Sequence, residues 1–399
     1  MFNTAANVPA PELETRLTTM QRQMAAAGLD GVLLLQHTDL FYFSGTSQQA
    51  HLYLPVEGAP ILMVKKNLRR ARAESAIDTI ISLSGPGQLP ESLKKHGYEQ
   101  PRTLGMELDV LPANLYLRYR RLWPEARLRD CSPMIRMVRA VKSAYEIGLM
   151  REAANLSDQV AAYAATIIRE GMPEIELAGL LEAEARRLGH QGLIRMRMWG
   201  SEMFYGHLMS GAAAAVPSQL ASPTGGEALS PAFAQGPGRK KVQRNEPVLF
   251  DYVFAHQGYL ADSTRIYCLG SLPSALAAAH DAMLDLQDLM AREACPGRIS
   301  GELYAAAENF VREKGYADNF MGGDDQRVRF VGHGIGLEVD EYPVIAAGQK
   351  MPLEEGMVVA LEPKLIFPGQ GVVGIENTHL ITGSGLERLT RFDDGIVYL

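Results

Sequence analysis

The stretch PVLFDYVFAHQGYLADSTRIYCL, residues 247–269, decides how the chain is read. It is rich in β-branched and aromatic residues on both sides of AHQG (255–258), the pattern of two strands joined by a turn. Read as a four-residue loop, AHQG pairs Phe254 with Tyr259 and sets Asp251 directly opposite Asp262. Directly opposed side chains have Cβ atoms about 4.5–5.5 Å apart, where two like charges are destabilising. Either one carboxyl carries a proton or a cation lies between the two.

A second hairpin repeats the arrangement. GMVVALEPKLIF (356–367) and GVVGIENTHLIT (371–382) flank a turn at PGQ, and centring it on Gly369 sets Glu362 opposite Glu376. A third stretch, GHGIGLEVDEYP (332–343), places His333 between two glycines, small neighbours that allow a backbone or ligand to come close. A single acidic pair reads equally well as a surface feature or as a holder of lysine partners. His333 alone reads best as a packed core histidine. Together they read differently, because burying an isolated carboxylate costs several kcal/mol and a divalent cation offsets that cost. Four carboxylates and one imidazole suit two metal ions about 3.5–4 Å apart. Oxygen-rich ligation with one imidazole favours Mn(II), Co(II), Fe(II) or Zn(II).

The bulk numbers frame this site. The 399 residues are too many for one ordinary core and predict two domains. Hydrophobic residues at 47% and charged residues at 21% are those of a globular chain. A formal net charge of -7 argues against a general nucleic-acid binder. Three scattered cysteines without CxxC spacing fit a reducing compartment. No apolar run reaches the length of a membrane span, and the first residues have no apolar signal core, so a soluble, cytoplasmic protein is expected.

Towards the N-terminus, Leu13, Leu17, Met20 and Met24 mark one face of a helix that Gly28 stops. GVLLL (31–35), HLYLPV (51–56), APILMV (59–64) and GMEL (105–108) read as strands, with helical stretches such as LRRARAESA (68–76) between them. Interleaving of this kind predicts an α/β domain over residues 1–135. Helices are expected at about 144–169, 174–189, 274–294 and 300–315. RMRMWG (195–200) and EMFYGHLMSG (202–211) read as strand-like. The Ala-, Pro- and Gly-rich segment 212–241 is too long for an ordinary connection and reads as a functional or mobile loop.

Asp251, Asp262 in ADSTR, His333 in GHGIGLE, Glu362 in LEP and Glu376 in GIENT resemble the metal ligands of the creatinase/prolidase/methionine aminopeptidase, or pita-bread, superfamily. The resemblance covers about 140–399 and is closest to the prolidase and aminopeptidase P branch. The N-terminal domain is similar, more weakly, to the creatinase/prolidase N-terminal domain. The resemblance implies an α/β N-terminal domain (1–135) followed by an α+β pita-bread catalytic domain (140–399), commonly as a homodimer. It implies two divalent ions per chain, with Asp251 on one, His333 and Glu362 on the other, and Asp262 and Glu376 bridging. It also implies hydrolysis of the bond ahead of a proline, with Glu362 assisting proton transfer beside His333.

The chain departs from that pattern at three places. The family's second histidine, seven residues beyond the first, is here Asp340, followed by Glu341. The histidine that follows an SG pair falls at about Pro217–Ser218, after Ser210–Gly211. An arginine two residues ahead of the second bridging glutamate is here Gly374. An ionised Asp340 can only accept hydrogen bonds, so it cannot stabilise an oxyanion. His207, Ser218, Asp340 and Glu341 are therefore the candidate substrate-side residues. Three readings follow: an Xaa-Pro peptidase with altered recognition, a creatinase-like hydrolase of a small amide or amidine, and a non-catalytic metal-binding homologue.

Overall fold

The computed structural model describes residues 7–217, 220–323 and 326–399. The chain divides into two units, Met1–Arg139 and Ala140–Leu399.

In the first unit, six strands form one mixed sheet. They are β1 (Gly31–Leu34), β2 (Ala50–Pro55), β3 (Ile61–Val64), β4 (Thr79–Ser82), β5 (Thr103–Met106) and β6 (Arg127–Asp130), ordered β4-β3-β2-β1-β5-β6. β1, β2 and β3 pair antiparallel; β3–β4, β1–β5 and β5–β6 pair parallel. The apolar runs are strands because both faces are covered: Leu33, Tyr53, Ile61, Met63, Leu104 and Met106 share one core with Leu89, Leu93, Tyr119 and Trp123. The helix Ala10–Ala27 buries Leu13, Leu17, Met20 and Met24, and Gly28 ends it with φ 66. β4 and β6 were not read from the sequence. β6 is RLRD, mostly exposed at the sheet edge, and has no apolar side to betray it.

The second unit carries the remaining strands: β7 (Gly206–Ser210), β8 (Val248–His256), β9 (Tyr259–Cys268), β10 (Phe330–Gly334), β11 (Glu341–Ala346), β12 (Val358–Leu361), β13 (Lys364–Phe367), β14 (Gly371–Gly374), β15 (Asn377–Thr382), β16 (Gly385–Arg388) and β17 (Val397–Tyr398). One sheet runs β17-β9-β8-β7 and another β11-β10-β12-β15-β16, with β13-β14 as a separate ribbon. Helices Ala144–Ile167 and Glu174–Arg187 pack Val160, Ala161, Ala164, Leu177 and Leu181 on Leu208, Phe250 and Tyr267 of the first sheet. Alanines at the contact let the long helix lie close to the strands. Helices Ser274–Glu293 and Ser300–Glu313 cover the second sheet in the same way, with Met283, Leu286, Leu303 and Ala307 against Val331, Val359 and Leu361. Each large aliphatic side chain buried so completely contributes about 1.5–3 kcal/mol.

Two strand expectations change. RMRMWG forms no strand; Trp199 stands 90% exposed, and the segment is held by polar contacts described below. The β8–β9 turn is two residues long, not four. Gln257 and Gly258 have φ 49 and 91, as the two-residue hairpin loop matched to strand twist requires, so His256 pairs with Tyr259. Asp251 consequently lies opposite Thr264, and Asp262 opposite Val253. The register moves by two residues, which keeps Asp251 and Asp262 on one face as a diagonal pair.

Burial lowers His51 in the first unit to about 4, with Lys65 adding to the effect, against an ordinary value of 6.5. The unfolded chain therefore takes up a proton below about pH 6.5 that the folded unit refuses until about pH 4. This contribution to stability is complete above that window and is lost as pH falls through it. The thermal midpoint should drop between these pH values, and His51→Gln should drop less steeply over the same range. Identical slopes for the two proteins would show that His51 is not buried neutral.

Candidate metal centre

Three structural junctions bring the acidic side chains together. β8 and β9 supply Asp251 and Asp262. Glu376 lies between β14 and β15, where it forms an isolated bridge with Thr264 of β9. The second hairpin has the register read from the sequence: Phe367 pairs with Gly371, Lys364 with Gly374 and Leu361 with Asn377. Pro363 lacks an N–H and interrupts the ladder, and Glu362 precedes it at that break. His333 sits in β10 between β11 and β12. Its flanking glycines answer to backbone approach: a Cβ on Gly332 would come to 2.5 Å from the carbonyl oxygen of Ala360, and one on Gly334 would strike the carbonyl of Tyr342.

Asp251, Asp262, Glu362 and Glu376 are all buried. His333 Nε2 lies 3.6 Å from Glu362 Oε1 and 3.9 Å from Glu376 Oε1. His333 Nδ1 lies 3.2 Å from the carbonyl of Gly334, so a proton on Nδ1 leaves the Nε2 lone pair facing the carboxylates. Asp262, His333 and Glu376 each offer one ligand atom, and these atoms lie within 4.8 Å of one another. Asp262 Oδ1 is buried without a hydrogen-bond partner among the described residues.

A residue that the sequence reading passed over sits in the middle. Lys364 Nζ donates to Glu362 Oε2 at 2.9 Å, Glu376 Oε2 at 2.9 Å and Asp251 Oδ2 at 3.2 Å. Its side chain is 1% exposed. Burial works against its charge, but Asp251, Glu362 and Glu376 together outweigh that and hold the ammonium well above its ordinary range. Burial would raise Asp251 too; Lys364 and His207 outweigh it and pull the carboxyl below its ordinary range. Asp262 goes the other way, raised by burial and then by Asp251. Glu376 is raised by burial and then by Asp262, despite its bond to Lys364. The cluster thus has Lys364 shared by Asp251, Glu362 and Glu376, while Asp262 is left without such a counter-charge.

The surrounding motif residues hold these groups in place. Thr264 Oγ1 donates to Glu376 Oε2 at 2.9 Å, and Thr378 Oγ1 accepts from the Asp262 N–H at 2.8 Å and donates to its carbonyl at 2.9 Å. Arg265, fully buried, donates to the carbonyls of Glu376 and Phe392 and to Asn377 Oδ1, each at 2.9 Å. This explains the spacing in ADSTR and IENT: each motif carries one carboxylate, and the threonine two residues on (Thr264, Thr378) together with Arg265 and Asn377 ties one segment to the other.

Of the substrate-side candidates among the described residues, His207 is the one that reaches the cluster. It pairs with Asp251 across β7–β8, with Nδ1 3.8 Å from Asp251 Oδ2, and Nε2 meets the Gln235 amide at 2.5 Å. Asp340 is engaged by the chain: Oδ1 accepts from the N–H of Arg197 at 2.8 Å and Oδ2 from that of Met198 at 2.7 Å. Glu341 is buried, accepts from the N–H groups of Leu337 and Glu338 at 2.8 and 3.1 Å, and meets Lys142 Nζ at 3.1 Å. Asp340 thus binds loop backbone, and Glu341 binds loop backbone and a buried lysine. Ser218 lies outside the described residues.

Residues 148–383 match the model of metallopeptidase family M24, and residues 16–141 match the creatinase/prolidase N-terminal domain. The chain belongs to metallopeptidase family M24. Among its relatives in this family, the chain is 27% identical to an Xaa-Pro dipeptidase of Pyrococcus furiosus over 383 residues, 95% of this chain and 98% of that protein. The solved prolidase of Pyrococcus horikoshii covers 95% of this chain, which in turn covers 99% of it, with a TM-score of 0.79 and 26% identity. The Xaa-Pro dipeptidase of Bacillus anthracis, at 24% identity and a TM-score of 0.83 over 97% of this chain and 100% of that one, shares the fold. Family membership brings the expectation of divalent metal, and the donor set at Asp262, His333 and Glu376 fits it.

Asp340→Ala should release the backbone of 195–200 without touching the metal cluster. Trypsin should then cut after Arg195 or Arg197 faster than in the parent protein, with Mn(II) uptake unchanged. Lost uptake with an unchanged cleavage pattern would return Asp340 to the functional site.

Proposed function

We propose that the protein is a metal-dependent peptidase that cleaves the bond ahead of proline in Xaa-Pro dipeptides or short Xaa-Pro peptides. The observation that carries this reading is the group of buried Asp262, half-buried His333 and buried Glu376 in an M24 chain, with Asp262 Oδ1 lacking a hydrogen-bond partner among the described residues. Curated and structural relatives along nearly the whole chain are named as Xaa-Pro dipeptidases and prolidases, which speaks for peptides over the small-molecule and non-catalytic alternatives. A divalent ion, when bound, acidifies water and polarises the scissile carbonyl. Asp262, Glu376 and His333 Nε2 would hold it.

The chain's own groups then have definite tasks. Glu362 Oε1, facing His333 Nε2 at 3.6 Å, is placed to accept a proton and pass it to the departing amine. His333 Nδ1, anchored on the Gly334 carbonyl, fixes the ring so that Nε2 keeps this direction. Arg265 and Thr264 hold the Glu376 backbone and carboxylate against movement during a cycle. A homodimer goes with this reading on the strength of the resemblance, Mn, Co, Zn or Fe on that of the oxygen-rich ligation with one imidazole, and a cytoplasmic location on that of the sequence composition.

The metal-reloaded protein should hydrolyse Xaa-Pro dipeptides in a screen that includes Xaa-Pro tripeptides and small amidino compounds. Asp262→Ala should lose both metal uptake and activity, the latter by about a hundredfold or more. Undiminished activity in that variant, or turnover of amidino compounds alone, would contradict the proposal.

A further inference from the structure

We propose that the ammonium of Lys364 takes the place of one of the two cations that the resemblance implies, so that the cluster holds a single divalent ion at Asp262, His333 and Glu376. The inference rests on reading the cluster as a metal site.

An ammonium has three N–H donors and no acceptor. Lys364 Nζ directs them at three carboxylate oxygens, Glu362 Oε2, Glu376 Oε2 and Asp251 Oδ2, at 2.9, 2.9 and 3.2 Å. A second ion would need oxygens from the same carboxylates. To take them it would displace a buried ammonium or lie directly beside one, and like charges in contact repel strongly where water is excluded. The ion pairs of Lys364 are all inside the protein, where both partners are shielded from solvent.

The backbone is shaped for this lysine. Gly374 stands directly across from Lys364 in the β13–β14 ladder. Its φ is +149, and a Cβ there would lie 2.5 Å from the Pro363 carbonyl oxygen, 2.7 Å from Lys364 Cα and 3.1 Å from Lys364 Cγ. A larger residue at 374 would collide with both the strand and the lysine stem. The replacement of the family's arginine by Gly374 and the entry of Lys364 are therefore one feature.

The charges divide in the same way. Four carboxylates against one ammonium leave three formal negative charges, which one dication reduces to one. The orphan atom, Asp262 Oδ1, has no partner among the described residues, Asp262 is not one of the three carboxylates that Lys364 holds, and it belongs with His333 and Glu376 to the donor group. A mononuclear site accounts for both the lysine and the orphan.

The full-length protein, stripped with chelator and reloaded with Mn(II), should retain about one ion per chain by elemental analysis. Its electron paramagnetic resonance should be that of isolated Mn(II). Lys364→Gly should take up two ions and show an exchange-coupled pair. Two ions in the parent protein would overturn the inference while leaving the metal-peptidase reading intact; so would equal uptake of one ion by parent and variant. Uptake of no ion by either protein would overturn both. Should Lys364→Gly fail to give a folded circular dichroism spectrum, Lys364→Met takes its place, and the count of one or two ions in the parent still decides the matter.

Discussion

Burying four carboxylates within apolar strands is the constraint on which the catalytic unit depends. Each ion would cost several kcal/mol to bury without a counter-charge. The chain meets part of that cost with Lys364 and leaves the rest at Asp262 and Glu376, whose carboxyls are held above their ordinary range by burial and then by a neighbouring carboxylate, Asp251 for the first and Asp262 for the second. The strands that carry these groups are held by contacts that face the same place: Thr264 and Arg265 reach across to Glu376, and Thr378 clamps Asp262. Fold and site are built from the same hydrogen bonds. A residue such as Arg265, which touches no reacting group, thereby fixes where the carboxylates point.

Much of this was legible from residue pattern alone, for physical reasons. Carboxylates in otherwise apolar strands are costly enough that their spacing carries information, and the second hairpin's register followed from one turn at Gly369. In the first hairpin the pattern predicts AHQG as the loop, and the observed register differs by two residues. Gln257 adopts positive φ beside Gly258, and side-chain pattern alone does not reveal that. An even-numbered slip preserves the face of every side chain, so the cluster survived the error. An odd slip would have turned Asp262 away. The exposed edge strand RLRD and the irregular RMRMWG were missed or misassigned for the opposite reason, since neither is governed by burial of an apolar face.

Lys364 does carry a signal in the sequence. It stands two residues beyond Glu362, and alternate residues of a strand share a face. A cross-strand partner without a side chain, Gly374, offers the room. The departures from the family pattern then fall into two groups. Gly374 belongs to the metal cluster through Lys364. Asp340 belongs to the 195–198 loop, where it caps two backbone N–H groups, and the substrate-side donors that the family's histidines provide have no counterpart in Asp340 or Glu341.

Crystals grown with Mn(II) and measured at the manganese absorption edge test the central claim most directly. The account predicts one anomalous peak per chain, bounded by Asp262, His333 and Glu376, with Lys364 Nζ still seated on Asp251, Glu362 and Glu376. Two peaks with the lysine side chain displaced from the carboxylates would contradict it.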